Sequence, residues 1–478
     1  MHNLINITMA LIVCIAFTLS SDSIAQNDKA QTNNVHTAPP ERVLSLQEAI
    51  AIAQKNDDWL VKSKFSELRL LDLSYGALAL PDPTISIGLL NLPTDGFAFN
   101  QEPMTQFKVG ISQMLPRGNT LALQEKHYQT AAAEQPYQRA DRILKVALQT
   151  SILWLDAYRD SANYELVQDA IPLFNKLKDI VGVSYTSSAG NTKQQDFIRA
   201  ELELVRLEDR LLRLDSDRRV ARAKLSQFLS DQSQSANTSY ENSNGYHNKR
   251  LADVVLPQSL TPVIQQKQRA ISWLQHASMQ SKYAILATHP VVLAIEQRIL
   301  ASTIEVDIAK QALQPQYAVN ASYALRDDAS AGMGGNSRAD FLSVGVNVSL
   351  PLFSSTRQDA QISASTKAMA VMRTDKRLLL QDLFAGLNSV YEQFIGAENR
   401  ARVYEQKILP QLRQLSQTAL NAYTNDTGSF ADVVTAKIME LDAQASLNTI
   451  TIEKRKALAH IDYYLAHSIN TTGTAHHE

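Results

Sequence analysis

Val109-Gly110-Ile111-Ser112-Gln113-Met114-Leu115-Pro116 and Val344-Gly345-Val346-Asn347-Val348-Ser349-Leu350-Pro351 are two versions of one stretch. In each, a glycine follows the valine and a proline closes the run six residues later. Apolar and polar side chains alternate along both, which gives a strand one apolar and one polar face.

The agreement extends outward. Ala79-Leu80-Pro81 corresponds to Leu313-Gln314-Pro315, and Ile171-Pro172-Leu173 to Leu409-Pro410-Gln411. Tyr185-Thr186 and Gly190 recur as Tyr423-Thr424 and Gly428, and Asp196 as Asp432. Every marker returns 234 to 238 residues later, in the same order. A period this long does not describe a solenoid. The chain is a tandem duplication of half-molecules.

Each half holds two strand-like runs, Thr84–Asn91 with Gln106–Leu115 and Gln316–Leu325 with Phe341–Leu350. Phe107, Val109 and Ile111 fall on one face of their run, opposite Lys108, Gly110 and Ser112. Leu342, Val344, Val346, Val348 and Leu350 do the same opposite Ser343, Gly345, Asn347 and Ser349. About ten residues suffice for a tilted strand to cross a bilayer. Loops rich in Pro, Gly, Asp, Ser and Asn join the runs within each half. A soluble sheet shows the same alternation. Four strands are too few for a membrane barrel, whose small limit is about eight, whereas three copies supply twelve.

Helix dominates the rest. A helical segment is expected over Leu46–Leu80 and again over Val291–Leu313. From Asn119 to about Tyr185 only Pro136 and Pro172 interrupt helix-forming residues, and Arg357 to Tyr423 is as long. Pro136, Pro172 and Pro410 are expected to kink or break helices locally. The returning segment carries Phe197, Ala200, Leu204, Leu207, Leu211, Leu214, Arg218, Ala221, Leu225 and Phe228 at 3-4 spacing. Val433, Ala436, Glu440, Ala443, Leu447, Ile450, Lys454, Ala457, Ile461 and Tyr464 repeat it. Sustained heptads of this kind indicate coiled-coil packing.

The formal net charge of −2 over 478 residues gives no basic surface for nucleic acid. Leu11 to Leu19 is apolar and Ser23-Ile24-Ala25 offers a small-x-small cleavage site, so a secretory signal is expected over residues 1–25. Cys14, the sole cysteine, lies inside it, preceded by Leu11-Ile12-Val13 rather than the Gly or Ala of a lipidation site. Asp231 to Lys249 is polar and reads as a surface linker. No later run is long and apolar enough for a transmembrane helix. An exported chain of this kind is either soluble in the periplasm or inserted as a β-barrel. No HExxH, GxSxG, P-loop, GxGxxG or zinc-spaced cluster occurs, so neither an enzyme nor a cofactor is expected.

These features together resemble the TolC-type outer-membrane efflux family over essentially the whole chain after residue 25. The resemblance rests on the duplicated helix, strand pair, long helix, turn and returning helix. It rests also on the turns Tyr185…Gly190 with Asp196 and Tyr423…Gly428 with Asp432. The gap from tyrosine to glycine is longer here than is usual in the family. Leu80-Pro81-Asp82-Pro83, Asn91-Leu92-Pro93 and Gln113-Met114-Leu115-Pro116-Arg117-Gly118-Asn119 look like its heavy-metal branch.

The resemblance implies a mainly α protein with a membrane β-barrel. Long-helix hairpins form a periplasmic α-barrel, and the four strands contribute to a twelve-stranded barrel in a homotrimer. It implies an outer-membrane exit duct with a large periplasmic extension, working with a periplasmic adaptor and an inner-membrane RND pump. The cargo would be heavy-metal cations, or alternatively drugs or a secreted protein; a soluble coiled-coil adaptor is the reading from another class. The domains are then a first repeat (26–230), a polar insertion (231–257), a second repeat (258–467) and a disordered tail (468–478). Tyr185, Gly190, Tyr423 and Gly428 would form the periplasmic tip, and Asp196 and Asp432 are candidates for its constriction. A solvated acid at a helix N-terminus accounts equally for Asp432, and better for Asp196. A glycine at such a turn is expected to end a helix with φ > 0. Met104, Met114, Met333, His476 and His477 lack ligand spacing and are read as core, loop and tail residues.

Overall fold

A computed structural model describes residues 42–186, 194–229, 254–257, 265–329, 335–425 and 427–466. The expected signal, the linker from Asp231 to Lys249, Gly190, Met333 and the tail lie outside them.

The first half runs β1 (Arg42–Val43), α1 (Leu46–Lys55), α2 (Asp58–Gly76), β2 (Thr84–Leu90), β3 (Gln106–Leu115), α3 (Thr120–Thr186) and α4 (Gln194–Leu229). The second runs β4 (Val254–Val255), α5 (Gln265–His276), α6 (Met279–Ala287), α7 (Pro290–Gln311), β5 (Gln316–Leu325), β6 (Phe341–Ser349), α8 (Ser354–Val403), α9 (Leu409–Thr424) and α10 (Phe430–Leu465). The duplication is visible in the structure: α4 and α10 each span 36 residues and begin 236 positions apart.

The expected Leu46–Leu80 helix is two helices. Asp57 divides them, because its carboxylate caps α2 through the Trp59 N–H (3.2 Å). The same carboxylate takes two bonds from Arg142 of α3, at 2.7 and 3.1 Å. An N-cap that is also a bidentate arginine partner fixes the position of the break.

Pro136 and Pro172 do not break α3, which runs on for 67 residues, about 100 Å. Each proline removes one hydrogen bond from a helix packed along its length against α4, α2, α7 and α10. That packing holds the helix through the defect. At Pro410 the outcome differs. A π-helical turn, Tyr404–Ile408, precedes it, and the Leu409 N–H reaches the Tyr404 carbonyl. The widened turn accommodates the proline ring.

Near the strands α2, α3, α7 and α8 lie side by side. Further along, α3 and α10 are central, flanked by α4 on one side and by α8 and α9 on the other. The seam of α4 is inward, with Leu204, Leu207, Ala221 and Leu225 buried. Its exception, Arg218, lies over the Tyr164 ring at 4.3 Å and pairs with Asp215 at 2.5 Å. In α10 the expected seam is only part of the buried surface. Phe430, Val434, Leu441, Ile452, Leu458 and Leu465 form a second buried stripe, because α10 is packed on both sides. Its seam acid and base are paired, Glu440 with Lys437 (2.9 Å) and Lys454 with Glu398 (2.5 Å).

No single described helix is long and apolar enough to cross a membrane. The pair α6–α7 passes on length and composition only jointly, bent by 64°. It buries Leu286, Val292 and Ile304 inside the protein. His289 at this bend is fully buried (0 %). Its Nδ1 accepts from the Val291 N–H (3.3 Å), so Nε2 carries the proton and donates to the Tyr463 carbonyl (3.0 Å). The Tyr463 hydroxyl donates in turn to Asp141 of α3 (3.1 Å).

Burial pushes the His289 pKa below its ordinary 6.5. The unfolded chain therefore binds the proton first, so stability is complete above pH 6.5 and falls as pH drops below it. His460, held down by burial and by Lys456, acts with the same sign. Urea unfolding at pH 7.5 and 5.5 is expected to show a smaller pH effect in His289→Gln than in the native protein, with the His460 share remaining.

Candidate functional site

The sheet is ordered β2-β3-β5-β6 and antiparallel throughout, so the strand pairs of the two halves join through β3 and β5. Register places Ile87 beside Val109, Val109 beside Tyr323 and Tyr323 beside Leu342. Ile85, Ile111, Ala321 and Val344 form the next rung. Side chains of one rung share a face. The expected alternation therefore holds across all four strands, with one face apolar and the other lined by Ser86, Gly110, Ser322 and Asn347.

The apolar face is uncovered. Leu342 and Val344 are 73 % and 72 % exposed, and every residue of β2 is exposed. An uncovered apolar face of this extent indicates an interaction with lipid or protein. β2 and β6 are the edges of the sheet.

The loops at one end are tied together. Arg326 donates to the Ala339 and Pro103 carbonyls (2.8 and 3.2 Å for Nε and Nη1) and lies over Phe341 at 3.9 Å. Arg338 donates to Asn100 (3.4 Å) and Glu102 (3.3 Å) of the other loop. At the opposite end Gly118, with φ +46°, turns β3 into α3. Arg117 there donates to the Ala312 carbonyl at the end of α7 (2.6 Å). The Pro116-Arg117-Gly118 signature thus has a structural duty at the junction of strand and helix.

Among the helix turns, Tyr185 is in the last turn of α3 and Asp196 in the first turn of α4. Asp432 occupies the matching third position of α10. It is exposed, and its N–H is capped by the Ser429 hydroxyl (3.2 Å). In the protomer this is a solvated acid at a helix N-terminus, favoured by the dipole. Tyr423 packs edge-on against buried Phe430 (5.7 Å), so its ring belongs to the apolar cluster joining α3, α4, α9 and α10.

Gly428 does not adopt positive φ, contrary to expectation; the Asn425 C-cap has φ −99°. Closeness explains the glycine instead. An added Cβ would stand 2.8 Å from the Ala422 Cβ and 3.0 Å from the Tyr423 nitrogen. The Ala422 carbonyl accepts from the N–H groups of Thr427 (2.9 Å) and Gly428 (3.0 Å). Sequence reasoning located the glycine but not this doubled-back turn.

Met104 precedes β3 and Met114 lies near its far end, so the two are not brought together. Met114 is taken by Gln316, whose amide lies 2.8 Å from its sulfur. Among the described residues no group of three His, Cys, Asp or Glu could hold a metal ion.

Comparison with known proteins agrees with this geometry. Residues 283–467 match the outer membrane efflux protein family. The fold is similar to that of VceC from Vibrio cholerae (TM-score 0.68, 14 % identity, 88 % of this chain and 96 % of that one). It is also similar to the CmeC outer membrane channel of Campylobacter jejuni (0.66, 12 %, 88 % and 85 %). CusC, studied for transmembrane channel formation, is equally similar (0.66, 12 %, 88 % and 91 %). At these identities the likeness establishes the fold. Sequence comparison with curated proteins finds no match.

Gly428→Val should force the turn open. Limited chymotrypsin digestion is expected to cut several-fold faster at Tyr423 or Phe430 in the variant, while cleavage elsewhere is unchanged.

Proposed function

We propose that this chain, whose residues 283–467 match the outer membrane efflux protein family and whose fold is similar to that of VceC, is one protomer of a trimeric exit duct of the TolC type. The observation that carries this reading is the sheet. One face is apolar and bare, the other is polar, and two edges are open. Lipid offers no partner for unpaired backbone groups, so a sheet in the membrane must close. Pairing β6 of one protomer with β2 of the next satisfies both edges, and three protomers give twelve strands. The helices support the same arrangement. Phe65, Leu202, Leu212 and Val220 lie exposed on α2 and α4 along one flank, while Val371 and Leu378 of α8 lie exposed along the other. Phe353, 90 % exposed, follows the edge strand β6. Apolar surfaces on two opposite flanks suit a head-to-tail ring.

In this reading the duct sits in the outer membrane with its helices in the periplasm. The turns at Tyr185, Gly190, Tyr423 and Gly428 meet a periplasmic adaptor and, through it, an inner-membrane RND pump. Asp432, and with it Asp196, narrows the pore at that end, where threefold symmetry makes a ring of carboxylates able to hold cations. The cargo includes heavy-metal cations. The sequence signatures favour that branch, although CusC and VceC resemble this fold to the same degree. The soluble-adaptor alternative leaves the bare apolar sheet unexplained.

Extraction of the outer membrane in detergent tests the assembly. A heat-modifiable trimer is expected, and a soluble periplasmic monomer would overturn the reading. Val346→Lys places a charge on the lipid side of β6 at a cost of about 2–4 kcal/mol near the midplane. It should abolish that trimer, whereas Asn347→Lys, one residue on and facing the lumen, should leave it intact. In planar bilayers Asp432→Ala should weaken block by divalent cations; unchanged block would remove the ring. Metal and drug sensitivity of a deletion strain decides the cargo.

A further inference from the structure

Lys108 is the only charged side chain in β2, β3, β5 and β6. It belongs to the polar face, and its rung reads Gly88, Lys108, Ala324, Phe341 across the sheet. Its cross-strand neighbours are a hydrogen and a methyl group. Nothing beside it can neutralise the charge, and among the described residues it has neither an ion-pair nor a hydrogen-bond partner. Asp340, an acid of the adjoining loop, is already engaged by the Tyr323 hydroxyl (2.6 Å) and the Arg326 N–H (3.0 Å). The next charge on the same face is also positive. Arg326 follows β5 in the same alternation and is held over Phe341, the last member of the Lys108 rung.

An uncompensated ammonium among Ser, Gly, Ala and Asn side chains is out of place in a merely structural lumen wall. Glutamine or serine would complete that wall with no net field. Symmetry in the closed barrel repeats the group at one height, and rings of like charge are how wide pores discriminate between ions. We infer that Lys108 sets the ion preference of the membrane barrel by placing a ring of ammonium groups in its lumen, with Arg326 extending that field toward the loop end. This rests on the duct reading. It also deepens it, because the barrel then favours anions and anionic or neutral solutes. A bare metal cation crosses against the ring, and one bound by an anionic ligand does not. The field reaches about 10 Å at 0.1 M salt and about 3 Å at 1 M, so the preference weakens in concentrated salt.

The test is the reversal potential of the full-length trimer in planar bilayers under a tenfold KCl gradient, for the native protein, Lys108→Gln and Lys108→Glu. The chloride-to-potassium permeability ratio should fall roughly twofold or more in Lys108→Gln and further in Lys108→Glu, with the differences shrinking toward 1 M salt. Lys108→Gln is isosteric enough to assemble even where Lys108→Glu does not, and trimer yield on gels checks both. Equal reversal potentials for native protein and Lys108→Gln overturn the inference while leaving the duct intact. Absence of current from correctly trimeric native protein overturns the duct reading and this inference with it, a failure distinguished from the first by the missing conductance.

Discussion

The pairing of β3 with β5 is the contact on which the rest of the molecule depends. It joins two half-molecules whose strands are more than two hundred residues apart, and it fixes their relative register. Side chains alternate with a period of two, so a slip of one residue would turn every apolar side chain of one half to the polar face of the other. The register is pinned below the sheet as well as within it. Gly118 and Arg117 tie the end of β3 to the end of α7, the helix that leads into β5. The loop arginines 326 and 338 do the same at the other end.

Much of this was legible before the structure. Two of the four strands, Gln106–Leu115 and Gln316–Leu325, begin and end where alternation indicates, because a side-chain pattern of period two reports directly on a two-faced sheet. The seam of α4 was equally visible. The second stripe of α10 was not, since a helix packed on both sides shows a broad apolar surface with no single period. The break at Asp57 was missed because it depends on Arg142, a partner 85 residues away. For the turns, sequence identified Gly428 but attributed it to backbone handedness. The actual constraint, the approach of Ala422, exists only once the turn has closed. The packing of the half-buried Tyr423 ring on Phe430 was not legible either, because it exists only once Phe430 is buried.

The helices are aligned by specific polar contacts as well as packed by apolar area. Lys456 of α10 pairs with Asp156 of α3 (2.5 Å), Arg139 of α3 with Glu67 of α2 (2.7 Å), and Lys376 of α8 with Glu296 of α7 (2.5 Å). Each joins neighbours in the layer and none joins successive turns of one helix. Half-exposed pairs contribute modestly to stability. Their value is in relative alignment: long antiparallel helices with small seam residues can slide, and a cross-helix pair at a fixed height opposes sliding.

The Asp141–Tyr463 bond has a temporal consequence. Its partners are separated by 322 residues. At about 5–20 residues per second, the ribosome delivers the second partner some 16 to 64 s after the first. For about the first half of that interval α3 lacks α7, and throughout it lacks α10, so the face of α3 that packs on α10 has no native cover. The long helix can form early from local contacts, but the layer that gives it a place is completed by α10, the last of the described helices. A chain interrupted before α10 would therefore leave one face of α3 open and adhesive.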